Sequence, residues 1–491
     1  MSKIIKKLDL TNLIEKHFID DLVEDYFHIK KIRAKDLLTY TRFDLGFKLL
    51  YLEMLSNDLD FSKEVYKEHI RAFSLGKYTE YGNEDKIGID RFISDFDKTF
   101  KDIKENGYDG SKSLIPLSEN GSILNGAHRV ASSIFLDKDV ECINIDLPNQ
   151  VYDYKFFYNR NVSKKMLDIA ATKFVEYAEN TFIAFLWPIA EGFEKEIEKV
   201  IPNIVYRKKI TLTRNGAHNL ISKVYFGEKW LGNIENNFSG SQGKLKECFP
   251  NFNPVRIIVF QAENLKEVLK IKDSIRNIFN VGKHSIHITD TKEEAVAAAR
   301  MVLNDNSIHF LNYAKPNRYI LTHKKIDKFK NFLYKNNLTP TDVVLDSGII
   351  MSIYGLRECS DVDYLINDNN KIKHDVSEFD YHEGSLKYHE EDKLSLIYNP
   401  KNYFYFKELK FLSFYQLYKM KINRDEEKDQ NDCKIMDAMI EKNTVKELFY
   451  HIKQTLYYEK VRLKPRVKNL LKILKLEALA RRIYKKVRKK K

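Results

Sequence analysis

The stretch that most constrains this chain is LDSGIIMSIYGLRECSDVDYL, residues 345–365. A Ser347-Gly348 turn and an apolar run over 349–354 precede two carboxylates, Asp361 and Asp363, with one apolar residue between them. On a strand, alternate side chains share a face, so Asp361 and Asp363 project together while Val362 faces the other way. Neighbouring carboxylates repel, and a divalent cation is the usual remedy. Hard oxygen ligands suit Mg²⁺ or Mn²⁺, which commonly bind through one or two carboxylates plus the phosphates of a nucleotide. The Ser347-Gly348 turn offers backbone N–H groups and a hydroxyl to a phosphate. Arg357, four residues before the acidic pair, adds a cation suited to polyphosphate. By itself, Asp-Val-Asp also fits a solvated strand end.

Further residues extend the pattern. Gly355-Leu356-Arg357 stands before Asp361 and Asp363, and Lys419, Arg424, Lys428-Asp429 and Asp432 follow in FYQLYKMKINRDEEKDQNDCKIM. In this order the residues resemble the nucleotidyltransferase superfamily of the polymerase-beta type, especially its minimal and abortive-infection branches. The resemblance implies NTP and Mg²⁺ (or Mn²⁺) as cofactors. It makes Asp361 and Asp363 the metal ligands, Ser347 and Gly348 the phosphate cradle, and Arg357 and Lys428 the groups that meet developing charge. The family's Gly-Ser appears here as Ser347-Gly348-Ile349, and a third carboxylate is open between Asp375, Asp380 and Asp392.

A second chemical stretch runs from Leu114 to Leu136. It reads as a strand, a turn at Glu119-Asn120-Gly121, a short strand, and a helix starting near Gly126. Glycine at a helix start permits close approach, the first free N–H groups attract anions, and His128 and Arg129 stand in that first turn. Asn125, Gly126, His128 and Arg129 resemble the nucleotide-phosphate motif of the ParB/sulfiredoxin-like fold, whose members include kinases and nucleotide hydrolases. No cysteine stands between Gly126 and His128, so sulfiredoxin-type chemistry is not expected. Upstream, residues 1–110 read mostly as amphipathic helix. Their His28, Arg42, Asp44, Lys48 and His69 read as ordinary core and surface.

From Asn180 onward, strands and helices alternate (TFIAFLWPIA, FEKEIEKVI, NIVYRKKITLT, AHNLISKVYF, PVRIIVF, NLKEVLKIKDSIRNIF), which implies a ferredoxin-like α/β sandwich. The order, together with His287-Ile288-Thr289-Asp290-Thr291, is similar to nucleoside diphosphate kinases. That similarity makes His287 a phosphate carrier and Arg276 a phosphate-binding arginine. Trp187-Pro188-Ile189 stands where that family has Lys-Pro-Asp, and His284 where it has asparagine. A neutral imidazole can accept a phosphoryl group. The simpler alternative is that His284 and His287 flank a strand end beside the helix starting near Thr291.

At 491 residues the chain exceeds one core, and 43% hydrophobic with 13% aromatic content is ample for burial. The net charge of +13 is concentrated: residues 460–491 hold ten Lys, five Arg and one Glu, a net +14, which leaves the rest at about −1. An apolar stripe at Leu470, Leu471, Leu474, Leu476, Leu479 and Ile483 runs among those cations and suits an anionic membrane surface, with nucleic acid the less favoured partner. Nothing approaches a membrane-spanning run, no signal peptide is evident, and Cys142, Cys248, Cys359 and Cys433 show no paired spacing. A cytoplasmic protein, peripheral on the inner membrane face, is the expectation.

The expected architecture is an α/β and α+β multidomain chain. Residues 1–150 form a helical region plus the ParB/sulfiredoxin-like domain, and 151–179 a connector helix. Residues 180–318 form the ferredoxin-like, nucleoside-diphosphate-kinase-like domain, 319–450 the nucleotidyltransferase-like domain, and 451–491 a basic amphipathic tail. As a whole the chain resembles accessory proteins of bacterial capsule or O-antigen synthesis. The resemblances imply a metal-dependent nucleotidyltransferase, coupled to a kinase step, that activates a small hydroxyl, phosphate or sugar substrate. One alternative is a small-molecule or sugar kinase seated at Gly126–Arg129 with a degenerate nucleotidyltransferase domain. The other is a non-enzymatic, nucleotide-sensing organiser on a membrane.

Overall fold

The computed structural model describes residues 3–473, apart from 56, 58, 81, 82, 369, 370 and 373–375. The architecture is multidomain α/β with mixed sheets. The helical expectation for residues 1–110 holds at Asp44–Leu55, Asp60–Phe73 and Ile89–Asn106 and fails nearer the start, where β1 (Lys3–Lys6) and β2 (Tyr26–Arg33) are strands. In β2, Phe27 and Ile29 are buried while Tyr26 and His28 are exposed, a period of two that no helix can bury. A small hairpin, β3 (Thr79–Glu80) with β4 (Asn83–Ile87), follows. β5 (Ile115–Leu117) and β6 (Asp139–Asn144) complete the first sheet in the order β1-β2-β6-β5, with β5 parallel to β6.

The helix Asp44–Leu55 is buried on nearly every side against the helices Asp60–Phe73, Ala127–Phe135 and Lys164–Tyr177. Charge inside such a helix must be paired. Arg42 donates twice to Asp44 (2.8 and 2.9 Å) and once to the Ile123 carbonyl (2.6 Å), while Lys48 Nζ reaches Asp44 Oδ2 at 2.8 Å. Lys48 also lies 3.2 Å from His69 Nε2.

The second sheet comprises β7 (Thr181–Leu186), β8 (Ile204–Ile210), β9 (Val255–Gln261) and β10 (Ile286–Ile288). Its order is β10-β7-β9-β8, with each neighbouring pair antiparallel. Alternation along β7 sends Phe182, Ala184 and Leu186 to a core shared with the helices Glu194–Val200 and Leu265–Phe279. Ile183 and Phe185 go to the opposite core, which continues into the N-terminal helices.

The third sheet holds β11 (Val343–Asp346), β12 (Val362–Ile366), β13 (Phe379–Tyr381), β14 (Tyr403–Phe406) and β15 (Leu409–Leu412) in the order β13-β12-β11-β15-β14. β11 is central and wholly buried. The aromatic run after residue 402 is core, with Tyr403, Phe404, Phe406 and Phe411 buried. The short segments SLKYHE and KLSLIYN, whose mixed apolar pattern suits strands, are instead a 3₁₀ turn at Glu383–Tyr388 and a helix at Lys393–Tyr398. The helix forms because the Asp392 side chain accepts from the Ser395 N–H at 3.0 Å, an N-cap that the short apolar run does not advertise.

Of the basic tail, the described part belongs to a long helix, Thr444–Ile473, and Leu474, Leu476, Leu479 and Ile483 lie outside the described residues. Among the described residues, no helix is long and apolar enough to cross a membrane.

The Asp44 cluster gives the first expected outcome. Burial works against the Asp44 carboxylate, but Arg42 and Lys48 outweigh it and hold the group well below its usual range. Asp44→Asn strands two buried cations and should cost about 3–5 kcal/mol in urea unfolding at neutral pH. Because the native acid is depressed, that advantage exists above its unfolded value and should shrink as pH falls below about 4.

Candidate functional site: a row of aspartates on the third sheet

Asp346 pairs with Asp363 across the antiparallel β11–β12 ladder, and Asp363 pairs with Asp380 across the parallel β12–β13 ladder. Directly opposed residues share a face, so three carboxylates from three adjacent strands form one row. Asp361 lies just before β12, exposed, accepting a hydrogen bond from Ser360 Oγ at 3.0 Å. Asp363 is partly buried, and its carboxyl is pushed up to about 6 by burial, with Asp361, Asp346 and Asp380 adding repulsion against the pull of His382.

Asp346 is fully buried and charged. The Ser347 N–H donates to its Oδ1 at 2.6 Å, His389 Nε2 lies 3.2 Å from its Oδ2, and His382 Nδ1 lies 3.5 Å from the same oxygen. Burial opposes the charge, and the two histidines overcome it, holding the carboxyl well below the usual range. His382 is in turn raised: burial lowers it, but Asp346 and Asp363 outweigh that loss. Asp346, His382 and His389 were absent from the residues singled out in the sequence. The signal was present, since Asp346 immediately precedes the Ser347-Gly348 turn, but its pairing with Asp363 needs the strand register.

The turn itself differs from the expected chemistry. Ser347, not a glycine, takes the left-handed backbone (φ +59°, ψ −125°), while Gly348 starts the short helix Gly348–Ile353. A side chain held at positive φ costs on the order of 1–3 kcal/mol, strain of the kind that clusters at functional turns.

Arg357 and Lys428 are not in the row. Arg357 is bidentate on Asp432 (2.8 and 3.0 Å) beneath the Tyr458 ring, 5.4 Å away. Asp432 also takes Lys421 (2.8 Å) and Gln454 Nε2 (2.6 Å), and its carboxyl falls to about 2 as these cations overcome burial. Arg424 pairs twice with Asp429 at 2.7 Å, and Lys421 reaches the same carboxylate at 3.1 Å. Lys428 sits at the surface with Glu426, 3.0 Å away. The charge of Arg424 also reaches the row, where it lowers His382 and is itself raised by Asp346.

The other expected site residues stand apart from the row. Gly126 takes φ +87° at the start of the helix Ala127–Phe135, where a Cβ would lie 2.6 Å from Ile115 Cδ1. His128 turns towards the helical core: its Nε2 bonds Tyr66 OH at 2.7 Å beside Phe96, and burial keeps it well below its usual range. Arg129 donates to the Leu114 carbonyl at 3.3 Å and faces Glu15 at 3.7 Å. His287 is wedged between Tyr225 and Phe185 and is driven down to about 3 by burial, then by Lys272. Arg276 pairs with Asp273 at 3.0 Å. Thr291, rather than either histidine, caps the helix Lys292–Val302.

Among the described residues, no group of three or more His, Cys, Asp or Glu side chains is arranged to hold a metal ion. A cation at the row would therefore take Asp361 and Asp363 and complete its shell with phosphate and water, the mode Mg²⁺ favours. Asp375 lies outside the described residues, and Asp392 is the helix cap. A cavity of about 530 Å³ lies elsewhere, between the helix Arg214–Val224, the 315–318 loop and the helix Thr444–Ile473. Compared with family models, curated proteins and solved structures, the chain matches none.

The raised Asp363 carboxyl gives a second expected outcome. Its ionised form is penalised in the fold, and the penalty is complete above about pH 6 and absent below the unfolded value near 4. Asp363→Asn should therefore stabilise the cation-free protein at pH 7–8 by about 1–2 kcal/mol, after discount for solvent access, and should be neutral near pH 4. Thermal melts across pH read this directly; destabilisation at pH 8 contradicts it.

Proposed function

We propose that the chain is a metal-dependent nucleotidyltransferase whose centre is the Asp346–Asp363–Asp380 row. The observation that supports this reading is the register that sets three carboxylates side by side next to a strained Ser347-Gly348 turn. Asp361 and Asp363 would hold Mg²⁺ or Mn²⁺, which supplies charge neutralisation and polarises a bound phosphate. Ser347 and Gly348 seat the NTP phosphates. Asp380, exposed on β13, accepts the proton of a small hydroxyl or phosphate acceptor. The acceptor oxygen bonds to the α-phosphorus, and the bond to pyrophosphate breaks. Arg424, whose charge reaches Asp346, takes the place of Lys428 in meeting developing charge. Arg357 positions the turn from its bond to Asp432, and Gly126, His128, Arg129, Arg276 and His287 have no part in this centre.

The acceptor is a sugar, polyol or similar head-group compound, in keeping with the resemblance of the whole chain to capsule and O-antigen accessory proteins. Incubation with each NTP, Mg²⁺ and a bacterial metabolite extract should yield pyrophosphate and a new nucleotide adduct. Asp363→Asn should abolish the adduct by at least about a thousandfold while the protein stays folded. Lys428→Ala should change the rate by no more than about twofold, because its ion pair is exposed. ATP consumption that survives Asp363→Asn but is lost in Arg129→Ala would move the activity to the N-terminal unit, and binding of NTP without turnover in any extract would leave only a sensor.

A further inference from the structure

Over residues 444–458 the helix Thr444–Ile473 is docked the wrong way round for a soluble amphipathic helix, and beyond them its described residues are nearly all exposed around its circumference. At about 1.5 Å per residue it is roughly 45 Å long. Three residues face the protein: Glu447 meets Arg318, Gln454 bonds Asp432 and the Lys428 carbonyl, and the Tyr458 ring covers Arg357. Two residues further on, at about 200° around the helix, an apolar row points outward. Phe449, Leu456, Leu463 and Leu470 repeat every seven residues and are 62%, 64%, 50% and 57% exposed, with Val445 and Ile452 filling the same side. Isolated exposed leucines need no explanation, but a continuous row along one helix marks an interaction surface.

The charge around the row points to what covers it. Between positions 460 and 473 there are six basic residues and no acidic one. A second copy of this helix would bring those like charges together. The heptad positions 459 and 466, which a paired seam needs apolar, are Glu and Arg. Pro465, between Leu463 and Leu470, removes an intrahelical bond and spoils a straight seam. A fluid anionic surface tolerates a bend, takes the apolar row into its acyl boundary, and attracts the flanking cations. We infer that the outward face of Thr444–Ile473 is a docking surface for an anionic lipid bilayer, on which the helix lies flat.

Gln454 and Tyr458, on the inward face, touch Asp432 and Arg357, so the bilayer lies one helix thickness from the ion pairs beside the aspartate row. The docking claim does not depend on the chemistry of that row.

The test is flotation of the full chain with vesicles of phosphatidylcholine alone and of phosphatidylcholine with about one third phosphatidylglycerol. The expected result is binding to the anionic vesicles at least tenfold tighter than to the neutral ones. Leu456→Gln with Leu463→Gln, and separately Lys460→Gln with Lys464→Gln, should each weaken it about tenfold or more, with thermal stability unchanged because all four side chains are exposed. Equal binding to both vesicles, or no effect of the leucine pair, overturns the inference. So does a concentration-dependent dimer that the leucine pair abolishes, or an RNA complex that displaces the vesicles. Mg²⁺-nucleotide binding by the leucine variant should match the native chain, which separates failure here from failure of the proposed catalytic centre.

Discussion

A buried carboxylate at the end of a central strand is the constraint around which the C-terminal unit is arranged. Asp346 sits in the middle of a five-stranded sheet with no access to water. A lone charge there would be prohibitively costly, so it dictates its surroundings. The Ser347 amide must turn back onto it, which puts Ser347 at positive φ, and the segment 382–389 must fold over β11 to deliver two imidazoles. Once that segment is in place, β13 lies beside β12, and the register carries Asp380 next to Asp363. One buried, satisfied charge thereby positions two less buried ones.

A second set of charges is settled among itself. Arg357, Lys421 and Arg424 meet Asp429 and Asp432 in a buried network joining the helices Phe414–Arg424 and Glu427–Ile440 to the loop before β12. Removing one member of such a network strands the others, so its residues hold the fold. The same residues carry much of the sequence pattern that suggests nucleotide binding. Their geometry divides that pattern, with Arg357, Lys421 and Arg424 all occupied by acids and the charge of Arg424 also reaching the row.

How much the sequence revealed follows from the range of each interaction. The succession of strands and helices after residue 180 and the helix near Gly126 rest on local periodicity, and they were legible. β2 was missed because its lysines mask a period of two, and the 3₁₀ turn at Glu383–Tyr388 because it is fixed by His382 and His389 reaching a distant strand. Asp361 and Asp363 were visible as a pair, whereas Asp346 and Asp380 join them only through pairing across 17 residues on either side of Asp363. Spacing alone also gave no way to see that His128 bonds Tyr66 or that His287 is enclosed by rings. A histidine beside a glycine or threonine looks the same in sequence whether it faces a ligand or a core.

The central claim is that burial, with the neighbouring carboxylates, holds Asp363 partly protonated near pH 6 until a cation and nucleotide offset that cost. Calorimetric titration of Mn²⁺ with an unhydrolysable NTP analogue, in buffers of different ionisation enthalpy, counts the protons displaced. At pH 6 binding should release about half a proton per site, falling towards zero at pH 8 and in Asp363→Asn. Undiminished binding in Asp363→Asn, or none in the native chain, contradicts the account.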